Sequence, residues 1–434
     1  MDVRKTAREI GLFETGINLA RVLGSPDVLA KVDLSMPLPD EDIADSVPQI
    51  AAWLRGFGKR KYLFLTPEIA LIEEMARLGQ PQEEVTLVLP WDLANPGKGS
   101  RVPDPIAYLS SDNDVQELAR QIARGNPEYQ RATRFDPYWK DASEALMTGL
   151  IYYVLVTQTK PSMKQVIDTF YQLRIMENGK GICTSLDSQF AWLERRAPDS
   201  VAVRKFRSFS QLPYVTASCV RDDLEKSIQT MFPVSIQAAM SGAASVSFED
   251  FATNRTAIFI LTSPFRTAQY AFANLLFSIA IRQLVEFAET RENQRLPRDV
   301  KLFFDDFGCG FPIQNYEKAI STFRSAGISS MMLCQSLSQL DATYGQDGST
   351  VILDNCSTLV YLPGGLNQKT GAYISGMSGL PLEEILFMEM GNVVVFQSGK
   401  PPLIAPRYDT LADPVYQQFM AAGTAVGAEN RGAV

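Results

Sequence analysis

Apolar positions in this chain follow two rhythms. Short unbroken apolar runs occur at Tyr62–Leu65, Val85–Leu89, Thr256–Thr262, Val300–Phe304, Ile328–Cys334, Thr358–Leu362 and Asn392–Gln397. Runs of this length bounded by turn residues predict buried strands. Between them lie stretches with helical spacing, among them Asp112–Arg124, Trp139–Val156, Thr267–Glu289, Asn315–Ser325 and Gln368–Ser375. From Pro161 to about Met240 the pattern is helical throughout. Strand alternating with helix predicts an α/β fold with a mostly parallel sheet, and the helical stretch predicts an inserted all-α domain. The expected divisions are 1–44 (helices and linker), 45–154 (first part of the α/β domain), 155–243 (the insert), 244–410 (second part) and 411–434 (a flexible tail).

Composition narrows the chemistry. The chain has 434 residues, net charge −8 and no histidine. Metal sites and general-base catalysis that depend on imidazole are therefore excluded. No predicted domain is strongly basic, so bulk charge does not signal a nucleic-acid surface. The basic run Arg204-Lys205-Phe206-Arg207, with Phe206 and Phe209 interleaved, reads first as a solvated helix face with two core aromatics and second as a contact for nucleic acid or an acidic partner. The five cysteines are scattered, with no CxxC pair, and read as reduced core residues of a cytoplasmic protein. Met1–Leu12 is charged and polar and does not read as a signal peptide.

The candidate chemistry lies between Val300 and Gly345. The run Val300–Phe304 ends in Asp305 and Asp306, a Gly-containing loop and a helix follow, and the run Ile328–Cys334 ends at Gln335. Two buried strands flanking a helix predict a parallel βαβ unit, which brings all three polar residues to the carboxyl edge of one sheet. Acids at such a strand tip suit nucleotide hydrolysis: one holds Mg²⁺, the second orients or deprotonates water, and an amide on the next strand senses the terminal phosphate. Two acids simply ending a strand in solvent would give the same short pattern.

The longer pattern resembles TraG/TraD-type coupling proteins, which link conjugative DNA or effector substrates to type IV secretion. It comprises Asp305-Asp306-Phe307, Gly308 and Gly310, Pro312-Ile313 to Glu317, Gln335-Ser336-Leu337-Ser338-Gln339-Leu340, Tyr344-Gly345, Leu353-Asp354-Asn355-Cys356 and Leu362-Pro363-Gly364-Gly365. Weaker similarity extends from Tyr62 to Tyr408. The resemblance implies a RecA-like, P-loop NTPase-type sheet with an inserted all-α domain, a hexameric ring, ATP and Mg²⁺ as cofactors, and other secretion or conjugation proteins and DNA or a relaxase–DNA complex as partners. It also implies Asp305 as the magnesium-associated acid, Asp306 in the place of a catalytic Glu, Gln335 as the strand-end sensor, and Arg324 as a basic residue that reaches a neighbouring subunit's nucleotide.

The departures are specific. A phosphate loop needs G-x-x-x-x-G-K-[ST], and no Gly-Lys pair here fits: Gly58-Lys59 precedes Arg60, Gly97-Lys98 precedes Gly99, Gly179-Lys180 precedes Gly181, and Gly399-Lys400 precedes Pro401. The stretch where that loop should fall, Pro37–Asp45, is acidic and Pro-rich. The family's Asp-Pro-Lys appears as Thr66-Pro67-Glu68, and Asp306 is one methylene shorter than Glu. The family's amino-terminal membrane helices are not seen, so the chain is expected in the cytoplasm or peripherally at the inner face of the membrane. Three readings stand. The first is a degenerate homologue that recruits substrate or partners without turning over ATP. The second is an active Mg-dependent ATPase with a non-standard phosphate site, completed by Lys59 and Arg60 or by another subunit. The third is an unrelated α/β protein.

Overall fold

The computed structural model describes residues 61–66, 87–93, 102–125, 137–179, 181–240, 246–254, 256–262, 267–304, 307–308 and 311–406. Lys59, Arg60, Asp305, Asp306, Cys309, Gly310, the Pro37–Asp45 stretch, the 1–44 region and the 411–434 tail lie outside these. The described residues fall into two compact units. One holds 1–94, 247–263 and 280–434; the other holds 95–246 and 264–279.

The first unit is built on a five-stranded, wholly parallel sheet. Its strands are β1 (Lys61–Thr66), β2 (Leu87–Asp92), β5 (Thr256–Leu261), β6 (Val300–Phe304) and β7 (Ile328–Met332), in the order β2-β5-β1-β6-β7. Every position of β6 is buried, including the largely aliphatic Lys301. A strand covered on both faces needs such a continuous apolar run, which is why it was visible in the sequence. Opposite it, β7 is more open, with Ser329 exposed and Ser330, Met331 and Met332 half-buried.

Two expected strands sit elsewhere. β8 (Thr358–Tyr361) and β9 (Asn392–Gln397) leave the parallel sheet and form, with β10 (Leu403–Pro406), a three-stranded antiparallel sheet in the order β10-β9-β8. The β9–β10 link explains part of this. It is a short turn with Gly399 at φ +79° and Lys400 N–H donating to the Gln397 carbonyl, and so tight a turn can join only antiparallel strands.

The second unit is helical with one exception. Its helices are α1 (Asp112–Ala123), α2 (Pro137–Thr157), α3 (Met163–Gln172), α4 (Asp187–Arg196), α5 (Val201–Ser210), α6 (Tyr214–Met231) and α7 (Val234–Met240). α1 starts with a capping box: Asp114 N–H bonds the Ser111 hydroxyl, and the Asp114 carboxylate accepts from the Ser111 N–H at 3.0 Å. α2 and α5 approach closely at Gly149, where an added Cβ would lie 3.2 Å from Lys205 Cβ. Phe206 of the basic run is buried, stacked on Phe190 with ring centroids 3.7 Å apart. The exception is a hairpin, β3 (Ile175–Asn178) with β4 (Gly181–Thr184), in a stretch expected to be all helix. Asn178-Gly179 is its turn signal, but β3 is mostly exposed and neither strand shows apolar alternation. The unit also opens at Asn95, so the expected start at 155 falls inside α2.

After this unit the chain forms α8 (Phe248–Thr253), β5 and α9 (Thr267–Glu289), whose first half belongs to the helical unit. Then come α10 (Tyr316–Ala319), α11 (Phe323–Ala326), α12 (Leu337–Asp354), α13 (Gln368–Ser378) and α14 (Leu382–Leu386). Among the described residues one helix, Ala268–Glu289, is long and apolar enough to cross a membrane, and 61% of its apolar window is buried inside the protein.

Candidate functional site

The carboxyl ends of β6 and β7 lie flush. Their register pairs Val300 with Ile328 and Phe304 with Met332. Backbone bonds carry the pairing further: Leu333 N–H donates to the Phe304 carbonyl (3.0 Å) and Phe307 N–H to the Leu333 carbonyl (2.7 Å). Asp305 and Asp306 fall in sequence between these anchors and lie outside the described residues. Gln335 follows two residues after Leu333, half-buried, at the same edge.

An aromatic frame lies around this edge. Phe307 stacks on Tyr344 with centroids 5.2 Å apart, and packs against Phe304 and Tyr316. Tyr316 is fully buried, and its hydroxyl donates to Ser330 Oγ at 2.9 Å. The Tyr344 hydroxyl accepts from Ile313 N–H at 3.2 Å, and Thr343 Oγ1 donates to the Gly308 carbonyl at 2.5 Å. Gly308 has φ +95°, a conformation that favours glycine. Both ends of the described loop are thus tied to α12. Burial pushes the Tyr316 and Tyr344 phenols well above the ordinary tyrosine range, so both stay neutral.

The Gln335-Ser336-x-x-Gln339 motif also has a structural role. Ser336 caps α12 by accepting from Gln339 N–H at 3.2 Å, and Gln339 Oε1 accepts from Gln335 N–H at 3.2 Å. Ser336 and Gln339 therefore fix the backbone of Gln335 by a near-capping-box pair. The signal was present as Ser-x-x-Gln before an apolar run. Tyr344 stands in the family pattern, but nothing local announced the contacts of Thr343 and Tyr344, because their partners are distant in sequence.

Arg324 is not brought to this edge. It sits exposed on α11, just before β7 begins, and so at the amino-terminal edge of the sheet. Its carbonyl accepts from Arg295 Nη1 at 3.4 Å. The two strand ends are about 16 Å apart, five residues at roughly 3.3 Å each.

By donor type, Asp305 and Asp306 suit a hard cation such as Mg²⁺. The described residues add no cluster of three metal-binding side chains. They also add no phosphate cradle: β1, β2, β5, β6 and β7 are followed by Pro67, Leu93, Thr262, Asp305 and Leu333, and none leads into G-x-x-x-x-G-K. Among the described residues Cys183, Cys219, Cys334 and Cys356 form no disulfide.

A family model described as type IV secretory system conjugative DNA transfer matches residues 82–380, more than half of the chain. The chain belongs to this family. Solved structures of family-like fold include the bacterial conjugative coupling protein TrwBdeltaN70 in its unbound form, with a TM-score of 0.62 at 17% identity over 84% of this chain and 82% of that one. The plasmid coupling protein TrwB in complex with ADP and Mg²⁺ matches with a TM-score of 0.60 at 17% identity over the same shares. The fold of this conjugative-transfer family member is accordingly RecA-like, with a mostly parallel sheet. Among curated proteins none matches its sequence.

Proposed function

We propose that this coupling-protein-like component of conjugative or type IV secretion does not cradle ATP alone and acts by recruiting substrate or partner proteins. The observation that carries this reading is the mismatch at one sheet edge. The ends of β6 and β7 lie flush on either side of the sequence position of the two acids, yet no segment of the sequence supplies a phosphate loop. Backbone amides and a Lys normally offset the triphosphate charge. Without them the two acids face a negative ligand with only Mg²⁺ between. Its partners on this reading are other secretion and conjugation proteins, with DNA or a relaxase–DNA complex as cargo, in a homo- or hetero-hexamer. It would work in the cytoplasm, peripherally at the inner face of the membrane.

One observation favours a second reading, an active Mg-dependent ATPase. The flush β6/β7 edge is held by five aromatic and hydroxyl contacts, which give a nucleotide site at this edge a fixed floor. TrwB, of the same fold, has been seen with ADP and Mg²⁺. Lys59 and Arg60 would then replace the missing loop Lys. Titration of the full chain with a fluorescent ATP analogue and Mg²⁺ separates the two. The first reading expects no saturable binding. Low-micromolar binding that is lost in Asp305→Ala overturns it, and a further loss in Lys59→Ala assigns the cradle to that turn.

A further inference from the structure

α14 is firmly seated in the first unit and yet leads straight into apolar side chains that face water. It follows α13 through a turn at Gly379, which has φ +75°. Ile385 is fully buried in a cluster with Tyr361, Ile374, Val394 and Phe396. α14 also lies close against α13, since a Cβ added at Gly371 would stand 2.8 Å from Leu386. Ser375 Oγ donates to the Leu380 carbonyl at 2.6 Å and ties the turn to α13. Phe387 comes immediately after α14 and is 77% exposed; Met390 is 63% exposed, and Ile404 of β10 is 47% exposed. Single exposed apolar residues are ordinary, but a group of them around a concavity marks a contact surface. Here the concavity is an open groove of about 530 Å³ lined by Leu380, Phe387, Met388 and Ile404 together with Glu383 and Glu384.

The charge around this groove has one sign. Between Lys369 and Lys400 the sequence has no Lys or Arg, and its only acids are Glu383, Glu384 and Glu389. All three are exposed, and among the described residues none of their carboxylates makes a hydrogen bond or an ion pair. Lys369 is already paired with Asp341. Glu383 and Glu384 stand in the first turn of α14, where acids favour the helix. Glu389 lies beyond its other end, where that gain is absent. Such a surface repels the phosphates of nucleic acid and the anionic headgroups of a membrane. A two-fold contact with a second copy would set the same acids against one another. What it complements is an amphipathic segment with basic residues beside an apolar anchor. The family match ends at Leu380, so the shared family pattern does not define this surface.

We infer that this groove docks a short amphipathic helix of a partner protein, with a large apolar side chain against Phe387 and Lys or Arg beside Glu383, Glu384 and Glu389. The inference rests on the reading above, in which the chain recruits partners, and it names one surface for that recruitment. Exposed aromatic residues at the centre of a contact carry much of its energy, so Phe387 is the expected anchor. The charges set orientation and association rate, so binding should weaken as salt is raised.

The test uses the full chain and a fluorescein-labelled helical peptide of roughly fifteen residues, with Leu and Trp along one face and Lys on its flanks. Binding is read by fluorescence anisotropy, and a benzophenone side chain on the apolar face maps the contact by cross-linking. The expected result is saturable binding with cross-links between residues 380 and 404. Phe387→Ala and the double variant Glu383→Lys, Glu384→Lys should each weaken it about tenfold or more. The same peptide with Glu for Lys should fail on the native chain and bind the double variant. All three side chains are exposed, so melting temperatures of the variants should stay unchanged. Silence with the peptide, equal binding of a scrambled peptide without an apolar face, or undiminished binding by the variants would each overturn the inference. So would binding of phosphatidylglycerol vesicles, or self-association in sedimentation, that is lost in Phe387→Ala, since either assigns the groove another occupant. Low-micromolar binding of the fluorescent ATP analogue by the same preparation would instead sink the reading on which the inference rests, so the two failures are told apart.

Discussion

Tyr316 and Tyr344 are the residues on which the candidate edge depends. The Tyr316 ring is fully buried and the Tyr344 ring half-buried, and each hydroxyl makes a hydrogen bond to a distant segment. Tyr344→Phe keeps the stack on Phe307 but strands the Ile313 N–H. An unpaired buried donor costs about 1–3 kcal/mol. Tyr316→Ala removes a fully buried aromatic and should cost about 3–5 kcal/mol. Urea unfolding monitored by circular dichroism should rank Tyr316→Ala well above Tyr344→Phe, with little change in secondary structure for the latter. The same region sets an alkaline limit. Burial raises the Cys356 thiol from its ordinary 9.0 to about 11, and it raises both tyrosines. Between pH 9 and 11 the unfolded chain loses protons that the folded chain keeps, so stability falls as pH rises through this window. Below pH 9 the contribution of Cys356 is fully present. Melting temperatures across that range should drop, and less steeply in Cys356→Ala.

Among the elements, those with a strong local reason to form were legible in the sequence. β6 shows as an unbroken apolar run because both of its faces are covered. The start of α12 was not read, the helix being expected only over Asp347–Leu353, although Ser336 and Gln339 sit three apart and cap it. Ser336→Ala should therefore cost about 1 kcal/mol in denaturant unfolding and loosen Gln335, visible as faster amide exchange at that residue. Elements that depend on solvent-exposed strands or on long-range pairing were not legible. The β3–β4 hairpin lacks an apolar face, so its Asn178-Gly179 turn was the sole clue. β8 and β9 read correctly as strands, but nothing within either run states its direction relative to β7. That is decided by tertiary pairing. The candidate site divides the same way. The flush ends of β6 and β7 followed from their spacing, whereas Thr343 and Tyr344 act on segments some 30 residues away. Arg324 was named from the resemblance alone, for a neighbouring subunit's nucleotide; within this chain it lies at the opposite end of β7 from Gln335, which leaves that role untested.

At the scale of the molecule the helical unit is discontinuous, and this has a measurable consequence. Residues 95–246 contain its first seven helices, but 264–279, the first half of α9, completes it. Phe272 and Phe277 there are fully buried, and Phe272 meets Phe232 edge to face with centroids 5.7 Å apart. A piece covering only 95–246 would expose the apolar surface that α9 covers. Each large side chain left uncovered forfeits about 1.5–3 kcal/mol of burial, and a domain is stable by only about 5–15 kcal/mol in total. The piece should therefore keep its far-ultraviolet helical signal, lose its near-ultraviolet aromatic signal and bind a hydrophobic dye, as a loosely packed state does. In the full chain Phe272→Ala should weaken the same packing by about 3–5 kcal/mol. If residues 95–246 alone gave a sharp near-ultraviolet spectrum and a cooperative melt, α9 would be a covering element rather than part of the core, and the insert would be the contiguous domain that its uninterrupted helical pattern suggests.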